Sequence, residues 1–162
     1  MPDLITEPRY SETTLDDPKA WPVVDKIMHG QRSGVLGTSH MDIPLCSQMA
    51  FAVAKDLRTV VIVTPRQTTK HDNMTANPNV SFLISTARND PADPAAAVAL
   101  TVTAFATELD GERRHVAVSL FAEKHPELLA FASAPTSAVM ELKIDSYQLV
   151  CNFQGVTHIR VH

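Results

Sequence analysis

Apolar positions change period several times along the chain, and each change marks an element. Trp21, Val24, Ile27 and Met28 recur at helical spacing after Asp17-Pro18, which predicts a helix that lies on a sheet and ends near Gly30. From Gly34 the period becomes two. Residues 34–39 read as one strand and 44–54 as the next, joined by the turn His40-Met41-Asp42-Ile43. In the second strand Leu45, Ser47, Met49, Phe51 and Val53 share one face, and Cys46, Gln48, Ala50, Ala52 and Ala54 the other. Strands are expected at 59–64 and 79–86, then a polar loop over 87–94. Residues 97–107 alternate most clearly, with Val98, Leu100, Val102, Ala104 and Ala106 set against Thr101, Thr103, Phe105 and Thr107. Residues 112–132 read as helical, interrupted at His125-Pro126. Two strands, 138–144 and 147–153, precede a final run at 156–161.

Short connections make these strands mostly antiparallel, and the helices fall at the start, middle and late part of the chain. The expected fold class is therefore α+β, a barrel of six or seven strands with flanking helices. Residues 1–16 read as a loose N-terminal arm and 17–162 as a single domain, in keeping with a chain of 162 residues. A dinucleotide-binding parallel sheet lacks support, because none of the five glycines forms GxGxxG after a strand.

Charge narrows the partners. The formal net charge is −4, with both signs interspersed, so no basic stripe could track a phosphodiester backbone and nucleic acid is not an expected partner. No membrane span is expected, and residues 1–11 lack the basic start and apolar core of a secretory signal. Cys46 and Cys151 lie singly in strand-like runs, which suits a reduced, cytoplasmic protein. The seven histidines are scattered; His158 and His162, four apart, fall in a strand-like tail, so no metal site is expected. No GxSxG is present for a hydrolase elbow.

The chemistry-bearing stretch is 64–78. It connects Val60-Val61-Ile62-Val63 to Val80-Ser81-Phe82-Leu83-Ile84, and its composition suits a short helix. Thr69 with Asp72 three residues later matches the looser capping box, and Asn77-Pro78 ends the helix. The first turn would offer unpaired backbone N–H groups beside the hydroxyls of Thr68 and Thr69 and the ammonium of Lys70, a constellation suited to phosphate.

This run resembles the pyridoxamine 5'-phosphate oxidase-like, FMN-binding split-barrel superfamily, and is most similar to its haem-utilisation-like branch. Thr64, Thr68, Lys70 and Asn77-Pro78 stand at matching places. So do Gly34-Val35-Leu36-Gly37-Thr38, Asp72-Asn73-Met74, Asp93-Pro94, His125-Pro126 and Phe153-Gln154-Gly155. The resemblance implies a split β-barrel homodimer with FMN in two clefts at the interface, haem being the other ligand of the branch. It implies cofactor-binding roles for Ser47, Gln48 and Met49 on the second strand and for Thr64 and Pro65 at the end of the third. It also implies phosphate contacts from Thr68, Thr69 and Lys70. The chain departs from the pattern at Thr69 and Asp72, where relatives often carry Arg, and Arg66 is the nearby residue that could compensate. The expected function is an FMN-dependent oxidoreductase acting on an unknown small molecule, with NAD(P)H as a candidate reductant. The alternative is a flavin- or haem-binding dimer without turnover.

Overall fold

The computed structural model describes residues 8–162. The first part of the expected arm, residues 1–7, lies outside the described residues. The later part is not loose. Arg9–Thr14 forms strand β1, which pairs in parallel with β9 (Gly155–Arg160), running from Arg9 opposite Gly155 to Thr14 opposite Arg160. The arm carries no apolar alternation; pairing with a distant strand orders it, together with Leu15, which is buried in the core.

Helix α1 (Ala20–Gly30) buries Val24, Ile27 and Met28, the stripe expected of it. The carboxylate of Asp17 receives the N–H groups of Lys19 at 2.7 Å and Ala20 at 3.3 Å where the helix begins. Strands β2 (Ser33–His40) and β3 (Ile43–Ala50) form a hairpin across the two-residue loop Met41-Asp42, both at positive φ. That is the backbone signature of a tight primed turn, reached here without glycine or asparagine.

The expected strand 44–54 is two strands. β3 ends at Ala50, Phe51 intervenes, and β4 (Ala52–Val53) leaves β2 to pair with β5 (Thr59–Pro65). Alternation continues through Phe51, so side-chain pattern hides the change of partner. Helix α2 (Thr69–Ala76) and β6 (Asn79–Ser85) follow, then the one-turn α3 (Asp93–Ala96) and β7 (Ala99–Glu108). Helix α4 (Gly111–Lys124) stops at His125-Pro126, as expected, and a 3-10 turn (Pro126–Leu128) leads into α5 (Leu129–Ser133).

The two strands expected over 138–153 are one strand, β8 (Ser137–Cys151). Asp145-Ser146 looks like a turn in sequence. In the sheet Thr103 faces Ser146 and Ala104 faces Ile144, so Asp145 is the extra residue of a bulge and the strand continues. The first half of β8 lies between β5 and β7, and the second half between β7 and β9.

The strand order is β1-β9-β8-β7-β6-β2-β3, with β5 joined to β8 and β4 to β5. The architecture is thus the expected mostly antiparallel α+β split barrel, its ladder open between β3 and β4. Leu36, Met49, Phe51, Ile62, Phe82, Leu100, Val102 and Tyr147 fill its interior. A second apolar layer, including Val61, Val139 and Phe121, seats α4 on the outer face of β4, β5 and β8.

Candidate functional site

The opening in the barrel is set by strand register. Ala52 pairs with Val61 and Val53 with Val60, so continuing that register past Phe51 would set Met49 level with Thr64 and Gln48 level with Pro65. The ladder stops there. The two groups of residues singled out by sequence, 47–49 and 64–65, therefore flank the split. They do not flank it with equal chemistry. Met49 is buried in the core, Gln48 is exposed and donates to Ser33 Oγ at 2.9 Å, and Ser47 is half-buried. Among the described residues β3 pairs only with β2, so its outer edge holds unpaired backbone N–H and C=O groups. What this strand offers a ligand at the split is main chain.

Thr64 is fully buried at the end of β5. Its hydroxyl lies 3.2 Å from that of Thr68, which donates to the Pro65 carbonyl at 2.9 Å and accepts from His71 N–H at 3.4 Å. The helix cap is therefore Thr68, one residue earlier than the Thr69/Asp72 pairing predicted, because Thr68 alone has the extended backbone of an N-cap. The shift reassigns the donors. The hydroxyl proton of Thr68 is spent inside the turn, whereas Thr69 and Lys70 occupy the first two helical positions. There, backbone N–H groups have no partner within a helix. Thr69 is exposed, and the ammonium of Lys70 makes no ion pair among the described residues. The helix start thus carries two N–H groups, a hydroxyl and a cation, a donor set of the kind that suits a phosphate.

Arg66 is engaged elsewhere. Its Nε donates to Glu108 Oε1 at 2.8 Å, its Nη1 to the Pro135 carbonyl, and its backbone N–H to the Thr136 carbonyl at 3.1 Å. His71 Nε2 lies 3.5 Å from the same Glu108 oxygen and is buried without a hydrogen bond. Sequence reasoning missed Glu108. It stands 42 residues from Arg66, one position past the strand expected over 97–107 and in step with the core-facing residues of that alternation, so nothing local marks it as a partner of Arg66.

Two amides hold α2 down. Buried Asn73 donates to Thr38 Oγ1 at 3.1 Å, and Asn77 donates to Ser39 Oγ at 3.1 Å. Asn73-Met74 was visible in sequence as part of a recurring pattern, but its partner on β2 was not.

Clefts elsewhere are of a different kind. One of about 340 Å³ lies between α4 and β5, lined by Val61, Leu109, Val116, Ala117 and Leu120 with Glu112, Arg113 and Glu141 at its rim. Another of about 290 Å³ is bounded by His29, Lys55, Leu120 and Lys124. Neither includes a residue nominated from the sequence. Among the described residues no group of three His, Cys, Asp or Glu is arranged to hold a metal, and no helix is long and apolar enough to cross a membrane.

A family model for pyridoxamine 5'-phosphate oxidase matches residues 20–151. No curated protein is significantly similar in sequence. Solved structures similar to this one include a haem-binding protein from Mycobacterium smegmatis, at a TM-score of 0.75 and 15% identity over 85% of this chain. This chain spans 56% of that protein's length. The haem storage protein HutZ from Vibrio cholerae matches at a TM-score of 0.68 and 16% identity, over 80% of this chain and 92% of that one. An FAD-binding protein from Mesorhizobium loti matches at 0.66 and 15% identity, over 80% and 90% of the two chains. At these identities the likeness is one of fold.

Proposed function

This chain belongs to the pyridoxamine 5'-phosphate oxidase family, and from that premise we propose that it is an FMN-binding oxidoreductase acting on a small molecule. The observation that carries the proposal is the coincidence of two features: the barrel opens between β3 and β5, and at that end of β5 begins a helix whose first two N–H groups are free. An elongated ligand with a phosphate at one end and a flat ring system at the other suits that arrangement. FMN is such a ligand.

In this reading Thr69, Lys70 and their backbone N–H groups take the phosphate. The free edge of β3 at Ser47–Met49 and the Thr64-Pro65 end of β5 border the ring. FMN when bound supplies the redox chemistry, accepting a hydride from a reduced nicotinamide or an organic donor. The protein's part is to hold the ring at the split and to keep the phosphate charge compensated, and no side chain is needed as a general base. The open edges of the barrel suit closure by a second copy, so the working form is a homodimer, cytoplasmic in location, with each cleft completed by its partner.

A second reading is favoured by the two haem proteins among the similar folds: a dimer that carries haem or flavin without turnover. Both readings are tested by the visible spectrum of the protein purified without added cofactor, followed by release and identification of the chromophore. Flavin bands with FMN released, bleached by NAD(P)H and restored by oxygen, are expected. A haem spectrum, or a flavin that no nicotinamide reduces, would favour the carrier. The site assignment is tested by Lys70→Met, which is expected to weaken FMN about tenfold while leaving riboflavin unaffected, since one charge-assisted contact is lost.

A further inference from the structure

Resting on the reading that the start of α2 takes the flavin phosphate, we infer that Glu108 and Arg66 are positioning residues. Locked to each other, they set the β5–α2 turn in place and leave the phosphate to Thr69, Lys70 and the helix N–H groups.

The tethers on Arg66 carry the argument. Its backbone N–H is bound to Thr136, one edge of its guanidinium to Glu108 Oε1 at 2.8 Å, and Nη1 to the Pro135 carbonyl. The loop it docks against is itself cross-linked. Arg114 of α4 donates to the carbonyls of Ser137 at 2.8 Å, Ala134 at 3.0 Å and Ala132 at 3.3 Å. Swinging Arg66 toward a ligand would leave Glu108 and the Pro135 carbonyl without their donor. Fixed planar forks of this kind orient what they hold.

Glu108 reaches both sides of the cap. The oxygen that binds Arg66, just before Thr68, lies 3.5 Å from His71 Nε2, in the first turn of α2. One carboxylate on β7 thus brackets Thr68 from a strand two places away in the sheet from β5. The ion pair has no net charge, so it adds little to the field that draws in a phosphate. Its contribution is geometric: it determines where the first two N–H groups of α2 point.

Electrostatics and positioning predict opposite signs, and the experiment uses that. FMN and riboflavin affinities are measured by flavin fluorescence for the wild type, Arg66→Met, Glu108→Gln, the double variant and Arg66→Lys. Both side chains are more than a third exposed, at 40% and 36%, so these variants keep the fold, which an unchanged urea midpoint verifies. Positioning predicts that each single variant weakens FMN about tenfold, that the double variant is no worse than the poorer single one, and that riboflavin binding shifts by less than about twofold. Arg66→Lys, which keeps the charge and loses the fork, behaves as Arg66→Met. Tighter FMN binding by Glu108→Gln would overturn the inference, because Arg66 would then be a phosphate ligand held back by its carboxylate. Independent losses that multiply in the double variant, or no loss at all, would overturn it as well. If the wild type instead binds riboflavin as tightly as FMN, or binds neither, the phosphate cradle itself fails and the inference falls with it.

Discussion

Lys124 shows how a single side chain joins sequence-distant parts of this molecule and sets a pH dependence. Its ammonium donates to the Met28 carbonyl at 3.1 Å and the Gln31 carbonyl at 2.5 Å, at the end of α1, and lies 4.1 Å from the centre of the Phe51 ring. Those carbonyls and the ring face favour the cation, but burial, with Arg32 nearby, outweighs them and pulls its pKa down from 10.5 to about 8. Between those values the unfolded chain holds a proton that the folded chain has released, so stability rises with pH across that window. The side chain is half exposed, and solvent screening limits the rise to about 1 kcal/mol. Tyr147 acts in the opposite sense. Burial raises its pKa above the ordinary 10.0, while its hydroxyl donates to the Leu57 carbonyl at 2.6 Å, so the folded state keeps a proton that the unfolded state loses. Stability should fall once pH passes 10. Urea midpoints followed through this range are expected to climb and then drop. Lys124→Met should abolish the climb, and Tyr147→Phe the drop.

Among the elements, α2 is one that packing alone does not hold in place. It is eight residues long and buries only Asn73 and Met74, too little apolar surface to seat a helix by packing alone. The amides of Asn73 and Asn77 make up the difference by bonding Thr38 and Ser39 of β2. Asn73→Ala leaves the buried Thr38 hydroxyl without its donor and is expected to cost about 1–3 kcal/mol in urea denaturation. Combining it with Thr38→Val should recover part of that loss, since neither polar partner then remains unsatisfied. If the helix start takes the flavin phosphate as proposed, flavin affinity should not recover with it, because that start would no longer be held at one position. The sequence showed that a short helix lies here, with its cap expected at Thr69 and its end at Asn77-Pro78. It could not show what the helix rests on, since Thr38 lies 35 residues away.

At the scale of the whole molecule, the split in the barrel and the helical layer outside it meet at His125. Buried at 2% exposure, it lies 2.8 Å from the Phe51 carbonyl through Nε2, at the one residue between β3 and β4. Arg32 and Glu127 close its other side, at 3.3 Å and 3.7 Å from Nδ1. The ring thus satisfies a carbonyl that the change of strand partner removes from the ladder, and ties the end of α4 to the place where the barrel opens. His125→Phe keeps an aromatic ring in the site, slightly larger, but leaves that carbonyl bare, and is expected to cost about 1–3 kcal/mol. His125→Ala should cost more, because a cavity is added. Equal urea midpoints for wild type and His125→Phe would show that the carbonyl finds another partner and that the split does not depend on this contact.

What the sequence by itself determined is whatever depends on neighbours along the chain. The alternation of residues 97–107 and the stripe on 20–30 follow from local periodicity, as does the stop at His125-Pro126 from proline's missing N–H. The helix start after β5 follows from the side chains that cap it, though Thr68 rather than Thr69 makes the cap. Tertiary structure alone decided whatever depends on pairing between distant backbones, to which side-chain pattern is blind. Such pairing drew residues 9–14 into the sheet and divided the second strand at Phe51 without a break in its alternation. It also absorbed Asp145 as a bulge, so that two expected strands became one. The same limit holds at the site: the chain spells out the groups able to meet a phosphate, while the carboxylate at Glu108 that holds Arg66 reaches it only across the folded sheet.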